Sequence, residues 1–247
     1  MEIRKLPFSP EGKLMTKRIC RQGGFTLPEM LVAIAISSIL IAVVGLAYTS
    51  QSKSYNSLQD VNNLQQEMRS ALEMVAKEMH MAGYDPTGKA KATIESAKAG
   101  EFRFTQDITD DDGTGSSDGD TGDGDEDIRF AIKTGGSSFG RETGGDGNLQ
   151  PIAENIDQLA FDYLLENGKW TQTPASADYK KIQAIKMILL GHSTRETGSG
   201  DGSTFNAPFD SPREDNPEKV WTPTSPGKYH WRMVSTVVQL RNMQIKN

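Results

Sequence analysis

No charged side chain occurs between residues 30 and 52, and the apolar run over residues 25–47 would form a helix of about 34 Å, enough to cross a hydrocarbon core of roughly 30 Å. One such segment near the start of a chain puts its two flanks on opposite sides of a bilayer. The charges divide at the same point. Residues 1–24 hold six basic side chains (Arg4, Lys5, Lys13, Lys17, Arg18, Arg21) against Glu2 and Glu11, a net +4, whereas the remainder of the 247 residues carries −10. This asymmetry predicts a basic cytoplasmic leader, a single pass through the inner membrane and one acidic domain on the far side. A basic groove for nucleic acid is not indicated. Much of the 36% hydrophobic content lies in the membrane run, so the far domain is expected to be polar and rich in loops.

The residues at the mouth of the run are unusual. A secretory signal puts its apolar region before the cleavage site and discards it, but the small pair Gly23-Gly24 precedes the run. Cleavage there would keep the hydrophobic helix as the new N-terminus. Pro28 agrees: in a helix starting near Phe25 it falls in the first turn, where a missing N–H costs nothing, while in a helix continuous with the leader it would be an interior breaker. Glu29 is a lone carboxylate near the membrane boundary, which calls either for headgroup depth or for a cationic partner. Cys20 is the only cysteine; Thr16-Lys17-Arg18-Ile19 before it is too polar for a lipoprotein signal, and the far domain has no disulfide to draw on.

The stretch GGFTLPEMLVAIAISSILIAVVGL resembles the class III signal of type IV pilins and of type II secretion pseudopilins. The resemblance implies that Gly24 precedes the scissile bond, that the new amine of Phe25 is methylated by a prepilin peptidase, and that Glu29 meets the N-terminus of a neighbouring subunit during assembly. The charges make sense of this. An amine created at Phe25 is the cation that Glu29 lacks, and stacking subunits would pair the two.

Beyond the run, Leu58, Val61, Leu64, Met68, Leu72, Val75, Met79 and Ala82 recur in steps of three and four, one face of an amphipathic helix. Gly83 and Tyr84-Asp85-Pro86 stop it. The expected division is therefore a cleaved leader over 1–24, a membrane helix over 25–47, its amphipathic continuation over 48–83 and a head domain over 84–247. Met68, Met74 and Met79 are expected to pack in the core, and Gly45 is a candidate weak point in the helix. In the head, residues 101–105, 128–132, 158–164, 182–190 and 233–240 read as strands separated by Gly, Pro and Asp clusters. The expected fold class is α+β, a type IV pilin fold with the long N-terminal helix packed on an antiparallel sheet and with long acidic and polar loops. PIAENIDQLAFDYLLENG, IQAIKMILLG, WRMVSTVVQLRN and EMHMAGYDP resemble the pattern of PilW-type minor pilins and the related J-type pseudopilins.

Two insertions stand apart. Residues 107–127 carry nine aspartates among glycines, hard oxygen ligands on a flexible backbone that suit calcium and not zinc. Asp110, Asp112 and Thr114 before Gly115 half-match a calcium loop, but its twelfth position is Thr121, not a bidentate glutamate. Asp110, Asp112, Asp118 and Asp120 are the candidate ligands; a solvated acidic loop is the competing reading. Residues 191–227 read as a long polar surface loop. No cofactor is required by any motif, with calcium the one that the acidic run would suit. His80, His192 and His230 lack metal-ligand spacing, and no nucleophile or phosphate loop points to an enzyme.

Three functions are expected from these features. The first is a minor pilin built into a priming or tip complex, with prepilin peptidase, other minor and major pilins and the inner-membrane assembly platform as partners, ending in an extracellular filament. The second is a minor pseudopilin of a type II secretion system. The third is a calcium-binding adhesin anchored by the same helix.

Overall fold

The computed structural model describes residues 24–110, 116–196, 205–206, 220–221 and 228–244. The leader lies outside the described residues except for Gly24, as do Asp112, Thr114 and Gly115 and most of the 191–227 loop. The chain divides into two compact units, Met1–Gln51 and Ser52–Asn247.

In the first unit every described residue is exposed, including large apolar side chains such as Ile41 at 73% and Leu46 at 72%. All of it from Leu27 onward belongs to α1 (Leu27–Met79), which Gly45 does not interrupt. This is the single helix among the described residues that is long and apolar enough to cross a membrane.

The second unit is α+β, as the pilin resemblance implied. Its part of α1 buries Val61, Leu64, Met68, Ala71, Leu72, Val75 and Met79 in steps of three and four. Two residues expected on the packed side are not buried: Leu58 is 66% exposed and Met74 43% exposed. Leu58 lies a turn before the first buried position, and Met74 sits one residue before Val75, which turns it off the buried face.

Where one sheet was expected, the described residues form two large ones. The first is a five-stranded antiparallel meander of β1 (Ile94–Lys98), β2 (Glu101–Thr105), β3 (Asp127–Ile132), β4 (Ser138–Thr143) and β5 (Gln150–Glu154) in sequential order. The second contains β6 (Ile156–Leu165), β7 (Trp170–Thr171), β8 (Ile182–His192) and β11 (Trp231–Gln239) in the order β11-β8-β6-β7. A short ladder pairs β9 (Phe205–Asn206) with β10 (Val220–Trp221), a 3-10 helix covers Ser176–Lys181, and α2 (Arg241–Gln244) comes after β11.

The switch between sheets is made by one residue. Asn155, between β5 and β6, takes φ 56°, a left-handed conformation that asparagine tolerates better than most side chains. Its carbonyl accepts the N–H of His192 (2.9 Å), and Gly191 passes so close that a Cβ there would fall 2.8 Å from the same oxygen and 3.3 Å from Leu64 Cδ1. Pro151 is tolerated because β5 is an edge strand.

Alternation puts Phe102 and Phe104 of β2 inward and Glu101 and Arg103 outward. A chain of rings then runs through both sheets: Phe139 to Phe130 (6.2 Å), Phe130 to Phe104 (6.4 Å), Phe104 to Phe102 (5.4 Å), Phe102 to Phe161 (5.9 Å). These rings and the buried face of α1 form one core. The sheets are also pinned by hydrogen bonds. Phe161 N–H donates to Ala99 O (2.8 Å), and the buried hydroxyl of Tyr163 reaches Lys98 O (2.9 Å) with Glu101 O at 3.2 Å. Burial, with the charges of Tyr179, Glu101 and Asp162 adding to it, pushes the Tyr163 phenol far above its ordinary pKa, so it remains a donor. On the solvent face of the meander, Arg129 Nε donates to Glu142 (2.6 Å) and Arg103 Nε to Asp127 (2.7 Å).

Candidate functional site

At the start of α1, Gly24 and Phe25 precede the helix, and Phe25 is 84% exposed. Thr26 occupies the N-cap and Glu29 the third helical position. Both the backbone N–H and the hydroxyl of Thr26 donate to Glu29 Oε2, each at 2.8 Å, and the Thr26 carbonyl accepts Met30 N–H (3.1 Å). This is the glutamate's half of a capping box, in which a glutamate one turn in reaches back to the cap. The spacing Thr-x-x-Glu is the sequence signal for it, overshadowed by the membrane cost of a charge, which points to distant partners instead. The structure gives Glu29 a local one. The carboxylate is thus held at the helix mouth, close in sequence to the amine that cleavage after Gly24 would create.

In the acidic insertion, carboxylate oxygens of Asp118, Asp120 and Asp123 lie within 4.8 Å of one another. Asp118 Oδ1 accepts Asp120 N–H (3.1 Å) and Asp120 Oδ1 accepts Gly122 N–H (2.8 Å), which turn the chain back on itself twice. Asp110 is not part of this group; its Oδ2 accepts the Ser116 hydroxyl (3.2 Å). Asp112 lies outside the described residues. Of the four candidate ligands the structure therefore brings together Asp118 and Asp120, and adds Asp123. Spacing alone could not select Asp123 from nine aspartates.

Among the described residues no histidine joins a metal-ligating cluster. His80 Nδ1 is 3.0 Å from Gln239 O, tying the end of α1 to β11. His192 Nε2 lies 3.5 Å from Asp157 and its ring packs on Tyr229 (4.5 Å) and Trp231 (5.1 Å). Burial pushes the Asp157 carboxyl up, and the imidazole opposes that. An open cleft of about 800 Å³ is lined by Asp85, Lys91, Glu166, Lys180, Lys181 and Met243, among others. Of the charged groups there, Lys181 pairs with Asp178 outside the cleft (2.7 Å) and Asp85 accepts the N–H of Lys91 within it (3.0 Å).

Residues 19–45 match the model of the prokaryotic N-terminal methylation motif. The chain carries a prepilin-type signal. The matched segment includes Gly24, Phe25, the Thr26–Glu29 cap and most of the exposed part of α1. Among solved structures, the chain is similar to a type IV-like pilin from Thermus thermophilus at 16% identity, with 73% of this chain and 96% of that one covered and a TM-score of 0.47. Comparison with curated proteins gives no match.

Proposed function

We propose that the chain is a minor pilin, inserted in the inner membrane through α1, cut after Gly24, methylated at Phe25 and incorporated with other pilins into a priming or tip complex of a type IV pilus. The observation that carries this reading is the prepilin-type signal placed directly on a helix whose first part is wholly exposed and whose second part is buried in a head domain. The first part needs an apolar surrounding that lipid provides before assembly and neighbouring helices provide afterwards. On this reading prepilin peptidase and the assembly platform are the membrane partners, and the role is structural.

The capping box sharpens the part played by Glu29. In the isolated subunit its charge rests on Thr26; in the filament the amine of a neighbour's Phe25 replaces or joins that contact. Glu29→Ala is therefore expected to be processed normally yet to be lost from sheared filaments, as read by immunoblots of membrane and pilus fractions. Normal incorporation of that variant would overturn the pairing. A deletion strain that loses surface pili while retaining secretion supports the pilus; the converse supports a pseudopilin.

A further inference from the structure

The two large sheets end in four edge strands, and three of these are guarded. β1 bulges between Ile94 and Ser96 and carries Glu95 and Lys98. β5 bulges against β4 and contains Pro151, which has no N–H to offer. β7 is only two residues long. Bulges, charges, proline and brevity are the devices that keep an edge from pairing with another chain. β11 lacks all of them from Met233 to Gln239: it pairs with β8 without a break in register, and MVSTVVQ has no charge, glycine or proline.

The ladder fixes which groups this edge offers. At the two ends of the β8–β11 pairing, Ser193 N–H donates to His230 O and Leu240 N–H to Gln183 O, each at 2.9 Å. Antiparallel bonding alternates, so the even-numbered residues of β11 bond to β8 and the N–H and C=O of the odd-numbered ones face away from it. His80 Nδ1 lies 3.0 Å from Gln239 O and closes that end. Met233, Ser235 and Val237 remain. Among the described residues no strand meets their outward side, and all three side chains are exposed, Met233 at 41% and Val237 at 56%.

We propose that this edge pairs with the same edge of a second copy of the chain, antiparallel and centred on Ser235. That register sets Met233, Ser235 and Val237 against Val237, Ser235 and Met233 of the other copy. It is the one register in which all three residues find a partner, with two backbone bonds for each of three pairs, roughly six. The exposed apolar side chains then cover each other, Met233 on Val237 at both ends. Arg232, the strand's only charge, falls opposite Val238, so no like charges meet. The strand is thus its own complement. Two-fold pairing also closes the edge on itself, leaving only the short β7 of each copy at the rims of the joint sheet. This inference does not rest on the pilus reading.

The experiment uses the full chain in detergent micelles, with Cys20 kept reduced. A contact this small should dissociate at ~1–100 µM, so sedimentation equilibrium should show monomer passing to dimer as the concentration rises through that range. Ser235→Lys and Ser235→Glu each set like charges against each other on the two-fold axis and should weaken the dimer about tenfold or more. Ser235 is exposed, so both variants should keep the wild-type circular dichroism. Mixed one to one, they should form a dimer holding one of each. Should either variant fail to fold, hydrogen exchange of the wild type decides. The amides of Met233, Ser235 and Val237 should slow as the concentration rises, while those of Val234, Thr236 and Val238, already bonded to β8, should not respond. A wild-type chain that stays monomeric refutes the pairing, as does a dimer that both variants keep undiminished, which would be held by α1 instead. Variants that stay apart when mixed, or exchange at Met233, Ser235 and Val237 that ignores concentration, refute it equally.

Discussion

The two parts of α1 share a backbone and differ in everything around it. From Leu27 to Gln51 all side chains are exposed, and the apolar ones go round the whole helix. From Ser52 to Met79 the buried apolar residues form a stripe, and Met68, Val75 and Met79 are completely buried. A helix apolar all round is made for lipid or for other helices; a striped one is made for a protein core. Two helical segments of equal regularity can thus have opposite surroundings, and the pattern of side chains decides which.

Matched truncations would break this comparison most sharply. Met68→Ala should cost the head about 2–5 kcal/mol, read as a lower urea midpoint, because it leaves a cavity in the core where Met68 is fully buried. Leu40→Ala removes a similar volume from the exposed part and should change the same midpoint by less than about 0.5 kcal/mol. Equal losses would mean that the two parts fold as one.

Glycines make the next test. Gly191→Ala pushes a Cβ to 2.8 Å from Asn155 O at the switch between sheets, and an overpacked site of that kind costs about 1–3 kcal/mol in thermal denaturation. Gly45→Ala meets nothing within 4 Å and should leave the head's melting temperature where it is.

The smallest effect concerns pH. Burial alone would raise Glu101, but the donors Lys98, Ser96 and Arg129 outweigh it and hold the carboxyl below its ordinary value of 4.5. A group whose pKa is lowered on folding contributes stability above its unfolded value, and that contribution is lost as pH falls through the folded value. Wild type should therefore exceed Glu101→Gln in melting temperature by a degree or so near about pH 7, and the gap should close as the pH falls below 4.5 and through the lowered folded value. A gap that persists in acid would mean that packing, not charge, accounts for it.

Much of this architecture is written locally. Strands β2, β3, β6, β8 and β11 announce themselves as runs of Phe, Ile, Val and Leu, and the stop at Gly83 and Tyr84-Asp85-Pro86 comes shortly after α1 ends at Met79. Strands β1, β4 and β5 do not: IESAK, SFGRET and QPIAE have few apolar residues, a glycine and a proline, and they are strands because neighbours on the meander pair with them. The cap Thr26–Glu29 is legible by spacing; the union of Asp118 and Asp120 with Asp123 is not, since it depends on two turns of the chain.

By itself the sequence determined the membrane-length apolar run, the processing signal and the amphipathic face of α1, because each depends on composition or on spacing along one element. Only the tertiary structure decided that the head has two sheets joined at Asn155, that Leu58 stays outside the core, and which carboxylates converge. Those outcomes depend on contacts between residues far apart in the chain, and no local pattern records which distant partner arrives.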